Sequence, residues 1–124
     1  MAEMDVNSLA VQAIDSCLRQ RLVRGTKVMF FFHRHATHKD KFGRRSLDLM
    51  EAVGMTADLA RHFHLPDFIF SGLPETFSSF DFTGSGLLSL EEARVMVKKT
   101  LLQWRWTLAG PATFESELEN RTLE

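Results

Sequence analysis

Residues 81–92 read DFTGSGLLSLEE, with carboxylates at both ends (Asp81 and Glu92), the hydroxyls of Thr83, Ser85 and Ser89 between them, and two glycines. The stretch is either a calcium-binding loop or a glycine turn that leads into a capped helix. In the second reading, Ser89-Leu90-Glu91-Glu92 is a capping box, in which Ser89 and Glu92 satisfy each other's orphan backbone donors at a helix start. Gly84 and Gly86 then simply make the turn, and Asp81 and the apolar Leu88 go unexplained. A second set able to do chemistry is the five histidines, His33, His35, His38, His62 and His64. Zinc needs three or four nitrogen or sulfur ligands converging tetrahedrally. On a helix His35 and His38 share a face, but His33 and His35 do not, and no cysteine cluster joins them. Exposed or partly packed histidines are the expectation. The lone Cys17 falls on an apolar helix face and reads as a small core residue. With no P-loop, nucleophile elbow or dinucleotide fingerprint in the chain, no enzyme is expected.

These residues need elements to position them. Between Asp5 and Arg24, Val6, Leu9, Ala10, Ala13, Ile14, Cys17, Leu18 and Leu22 recur at helical spacing, and the polar residues take the opposite face. Gly25 is placed to end that helix. The following TKVMFFFHRH is dense enough in apolar residues to be a buried strand or a buried helix, and periodicity does not arbitrate. Ser46 can cap a short helix carrying Leu47, Met50 and Val53, interrupted at Gly54; Thr56 then reads as a new N-cap before ADLARHF, and Pro66 closes that segment. Pro74 opens a further helix with Leu73, Phe77 and Phe80 on one face. From Leu90 onward, Ala93, Met96, Val97 and Leu101 form a stripe running toward Trp104 and Trp106.

Helix, twelve-residue glycine-containing link, helix: with Asp81 and Glu92 at its ends and apolar flanks at these offsets, the segment resembles the EF-hand family. The resemblance implies a ligand set of Asp81, Thr83, Ser85, the Leu87 carbonyl, Ser89 and Glu92, with Gly86 at the sharp turn and Leu88 pairing with a neighbouring loop. Hydroxyls replace the Asp or Asn of the strict pattern at the third and fifth places, so the implied cofactor is a weakly held calcium ion. Hands come in pairs. Aligning Ser46-Leu47 with Ser89-Leu90 gives a degenerate first loop, His38–Leu49 (HKDKFGRRSLDL), whose Lys41, Arg44 and Arg45 would repel a cation. The resemblance covers about residues 26–104.

The expected fold class is therefore all-α: an EF-hand-like pair of helix-loop-helix units over 26–107, an additional amphipathic helix over 1–25, and a polar tail over 108–124. The implied function is a non-enzymatic regulatory or adaptor module that presents an apolar groove (Phe77, Phe80, Met50, Met96, Trp104) to a protein partner such as an amphipathic helix or a larger assembly. The alternative is a calcium-independent helical interaction subunit that keeps only the shape. A third, distant reading is a metal-dependent enzyme using the histidines.

Composition agrees with a single folded domain. The chain has 124 residues, 44% of them hydrophobic, and its net charge of −1 indicates neither a nucleic-acid partner nor an acidic-lipid surface overall. The charge is uneven, with the His33–Arg45 stretch basic and the C-terminal stretch acidic. Eleven phenylalanines without a tyrosine suit a core or an apolar groove. One cysteine, no signal-peptide pattern and no apolar run long enough to span a bilayer make a cytoplasmic location the expectation.

Overall fold

The computed structural model describes residues 6–110, which form an all-α fold of five helices with a short, largely exposed two-stranded ribbon. Of the expected tail at 108–124, residues 108 and 109 belong to the last helix, which runs to Ala109, and residues 111–124 lie outside the described ones.

The first amphipathic stretch is two helices rather than one. Helix α1 spans Val6–Arg19 and α2 spans Arg21–His35, with the break at Gln20 (φ −88°, ψ 57°). Gly25 does not end a helix; it lies within α2. The reason for the early break is the buried Arg24, whose Nη1 donates to the Cys17 and Leu18 carbonyls at 3.2 and 2.8 Å. Those carbonyls are among the ones a helix end leaves without intrahelical partners, so one guanidinium from the second helix closes the first. The ambiguous TKVMFFFHRH is helical, and it buries Val28, Phe31 and Phe32.

Helix α3 spans Leu49–Phe63 without interruption. Its N-cap is Asp48 rather than Ser46, in a reciprocal capping box with Glu51. Thr56 starts no new helix: it is buried in mid-helix, where its Oγ1 donates back to the Ala52 and Val53 carbonyls. ADLARHF is accordingly the second half of α3. Gly54 has a packing role, since a Cβ there would stand 2.7 Å from the His35 ring. That ring bonds Asp58 at 2.6 Å, so α2 and α3 approach closely where a glycine leaves room. His64 closes α3 in the left-handed region, at φ 56°. After Pro66 come a 3₁₀ turn at Asp67–Phe70, α4 at Leu73–Phe80 and α5 at Leu90–Ala109.

Two helix-loop-helix units result, α2 to α3 and α4 to α5. In the first loop, β1 (His38–Lys39) pairs antiparallel with β2 (Arg45–Ser46), and Leu47 then bridges to Leu88 of the second loop. One core runs through both units, joining Phe32, Met55, Leu59, Phe77, Met96 and Leu101. Helix α1 belongs to it through Ile14, Cys17 and Leu18, and Asp15 fixes α1 to α5 through Arg105 Nε at 2.7 Å.

Leu88→Ala should cost roughly 2–5 kcal/mol, because the side chain is fully buried at the junction of the loops. Gly54→Ala should cost roughly 1–3 kcal/mol by overpacking against His35. Urea unfolding of the two variants checks both values, and a loss in Leu88→Ala close to that of a surface substitution would contradict the packing described.

Candidate metal centre

The Leu47–Leu88 bridge sets the register between the loops. Laid on one another through these residues, Asp40 matches Asp81, Gly43 matches Gly84, Asp48 matches Ser89 and Glu51 matches Glu92. The first loop is therefore Asp40–Glu51 rather than His38–Leu49, and Leu47 rather than Arg45 stands opposite Leu88. The local geometry repeats. Gly43 and Gly84 both have positive φ (79° and 67°), which glycine adopts without strain. Their amides donate to the carbonyls of Asp40 and Asp81 at 2.9 and 3.1 Å. Each loop then enters its helix through a capping box, Asp48 with Glu51 and Ser89 with Glu92.

In the second loop four of the six expected donors, Asp81, Thr83, Ser85 and the Leu87 carbonyl, lie in a string, while the Ser89 hydroxyl accepts from the Glu92 amide at 3.2 Å as the helix cap. Thr83 Oγ1 lies 3.2 Å from Asp81 Oδ1 and 2.9 Å from Ser85 Oγ; Ser85 Oγ lies 3.5 Å from Asp81 Oδ1 and 3.4 Å from the Leu87 carbonyl. Oxygens bound at 2.3–2.6 Å to one calcium ion sit about 3 Å from their neighbours, so this all-oxygen string fits such an ion. Asp81 is oriented by the amides of Ser85 and Gly86, at 3.3 and 2.6 Å. Glu92 closes the loop from its far end, accepting from the Ser89 amide at 2.8 Å and from the Phe82 amide at 3.2 Å. Thr83, Ser85, Leu87, Ser89 and Glu92 line one cavity of about 470 Å³. Asp81 meets that group through its contacts with Thr83 and Ser85 rather than through the cavity wall.

The first loop spends its carboxylates internally. Asp40 accepts from the amides of Arg44 and Phe42 and pairs with Arg44 Nε at 3.0 Å, and the Arg44 amide bond leads the effects that lower its pKa. Glu51 is partly withdrawn from water, which opposes its charge. Hydrogen bonds from Thr37, the Asp48 amide and His38 outweigh that and hold the carboxyl at about 2. His38 Nδ1 stands 2.8 Å from Glu51 Oε1, and that bond pushes the imidazole pKa up.

Sequence reasoning passed over Asp48 and Glu51. With His38 they form the one group of three metal-type donors among the described residues. The shared capping-box pattern of Asp48-Leu49-Met50-Glu51 was the signal available. A nitrogen with two carboxylates suits a first-row transition ion better than calcium, but Glu51 already accepts from His38, Thr37 and the Asp48 amide, so the group acts as a buckle on the ribbon.

The other histidines do not converge with it. His35 bonds Asp58, His33 stacks edge-on to Phe32, His62 packs on Phe31 and Phe63, and His64 ends α3. The Cys17 thiol is buried, and burial raises its pKa to about 11. The five groove residues do not share a surface: Phe77 and Met96 are inside the core, Phe80 and Trp104 are partly buried against it, and Met50 is 76% exposed. Trp104 is anchored through its indole N–H to the Ile69 carbonyl at 3.0 Å. Among the described residues no helix is long and apolar enough to cross a membrane. Compared with known proteins, the chain matches no family model, and no curated protein or solved structure is significantly similar to it.

The buckle gives a pH dependence with two limbs. His38 gains its partner only on folding, so its contribution is complete below the ordinary value of 6.5 and fades as pH rises through the raised one. Glu51 contributes fully above its ordinary 4.5, and that contribution fades as pH falls toward about 2. His38→Asn should flatten the alkaline limb of the urea midpoint against pH and only shorten the acid limb, because Thr37 and the Asp48 amide still hold the Glu51 carboxyl low. An unchanged alkaline limb would remove His38 from the account.

Proposed function

We propose that the chain is a non-enzymatic EF-hand-like calcium-binding module of regulatory or adaptor type, with one weak site at residues 81–92 and a first hand, 40–51, that binds no calcium. The observation that carries this reading is the string of oxygens from Asp81 through Thr83 and Ser85 to the Leu87 carbonyl, with Glu92 folded back over the loop's start. Supporting it are helices on both sides of the loop and the antiparallel bridge to a second loop of like geometry.

Calcium would supply a compact double positive charge for these oxygens to surround. Glu92 is then the residue with consequences beyond the loop, because it stands in the first turn of α5. Exchanging its bonds to the Ser89 and Phe82 amides for the loop's centre would shift α5 against α4. Phe77 and Met96, enclosed at that contact, are the surface such a shift would offer to a protein partner such as an amphipathic helix.

A second reading, a calcium-independent helical interaction subunit, is favoured by one specific fact. Both loops are already closed by their own bonds: Arg44 on Asp40, His38 on Glu51, and the Gly86 amide on Asp81.

Calorimetric titration separates the two readings. The wild type should bind one calcium ion with Kd on the order of 10⁻⁵ to 10⁻³ M, and Glu92→Ala should abolish the heat. Binding that survives unchanged in the variant discards the site, and no binding in either protein leaves the calcium-independent subunit. An apolar dye should gain fluorescence on calcium addition if the core opens as described.

A further inference from the structure

The cavity that contains the second loop's oxygens is larger than one ion requires, and its opposite wall is cationic. Lys39 of β1, with Lys41 and Arg44 of the first loop, lines the same cavity as Thr83, Ser85 and Ser89 of the second, about 470 Å³, a volume in the range of small-ligand clefts. We propose that this cavity binds a small phosphate or carboxylate anion, and that the anion and calcium bind together. The proposal rests on the calcium reading of residues 81–92.

Three features make the wall a receptor rather than a loose set of surface charges. Lys39 is held in the ribbon opposite Arg45, which fixes its backbone. Lys41 and Arg44 both lean on the Phe42 ring, at 5.2 and 5.3 Å from its centre, and Phe42 itself lines the cavity. Neither Lys39 nor Lys41 has an ion-pair partner among the described residues, whereas the carboxylates in the wall are committed: Asp40 to Arg44 and nearby amides, Glu92 to the Ser89 and Phe82 amides.

Electrostatics then links the two ligands. A divalent ion in the second loop would share the cavity with Lys39 and Lys41, Arg44 being paired with Asp40, and repulsion by the two lysines weakens its binding. Calcium takes six to eight oxygens, while the side chains here bring only two carboxylates, Asp81 and Glu92. An anion seated between the walls would neutralise the lysines and lend an oxygen to the ion. Each ligand would therefore raise the affinity of the other by the same factor.

The test is calcium titration of the full chain with and without excess glycerol 2-phosphate, in the wild type and in a Lys39→Gln, Lys41→Gln variant. Both lysines are exposed, so the variant should keep its fold. Glycerol 2-phosphate should tighten calcium binding by at least about fivefold in the wild type, the low end of ordinary couplings. In the variant that enhancement should vanish, while calcium alone binds somewhat more tightly because repelling charge is gone. Calcium binding equal with and without the phosphate, or full enhancement in the variant, overturns the inference and leaves the calcium site standing. No calcium uptake under any condition ends both. Sedimentation with phosphatidylserine vesicles, but not with phosphatidylcholine vesicles, would assign the anion to a lipid headgroup. Enhancement by the soluble phosphate without sedimentation would assign it to a free anion.

Discussion

The amides and carbonyls of Leu47 and Leu88 bond each other reciprocally at 2.9 and 2.8 Å, and both side chains are fully buried. Two polar loops are thereby joined at the point where they meet the apolar core. The residue after each leucine, Asp48 or Ser89, is a helix N-cap, so the bridge also fixes where α3 and α5 begin. An exposed backbone bridge would contribute little by itself. Here the bonds lie over apolar side chains, where unpaired amides would be costly, and the loops cannot slip past one another without exposing a leucine.

On that shared frame the two loops carry different electrostatics. The first answers its own charges: Arg44 on Asp40, His38 and Thr37 on Glu51. The second has neutral hydroxyls where the first has Phe42 and Arg44, so its carboxylates are met by amides and hydroxyls and by no cationic side chain of the loop itself. Cations stand inside the first loop and across the cavity from the second. This asymmetry distinguishes a loop that is complete in itself from one suited to an outside ion. The backbones differ too, since Gly86 has a positive φ (81°) where the matched Arg45 lies in the paired strand β2.

Helix α1 extends the core beyond the two helix-loop-helix units. It packs Ile14, Cys17 and Leu18 into the common cluster, and its C-terminal carbonyls take the Arg24 guanidinium of α2. With Arg105 on Asp15 it braces α5, the helix that begins at Glu92's capping box.

Much of this was legible in the letters. The apolar periodicities fixed the helical class, since a stripe such as Leu90, Ala93, Met96, Val97 and Leu101 has only one regular solution that buries it. The Ser89–Glu92 capping box was read directly, because a cap is a local bond between residues close in sequence. Wherever a distant residue decided the outcome, the letters misled. Gly25 and Gly54 looked like breakers, yet one lies within α2 and the other makes room for His35. The first loop was misaligned because Ser46-Leu47 resembles Ser89-Leu90, while the true match of Leu47 to Leu88 exists only as a hydrogen-bonded pair across the molecule. Sequence by itself determined the helical class and the Ser89–Glu92 cap, because these depend on near neighbours. Register, the spent carboxylates of the first loop and the cationic wall opposite the second were decided by tertiary structure, because each is a contact between segments that only packing brings together.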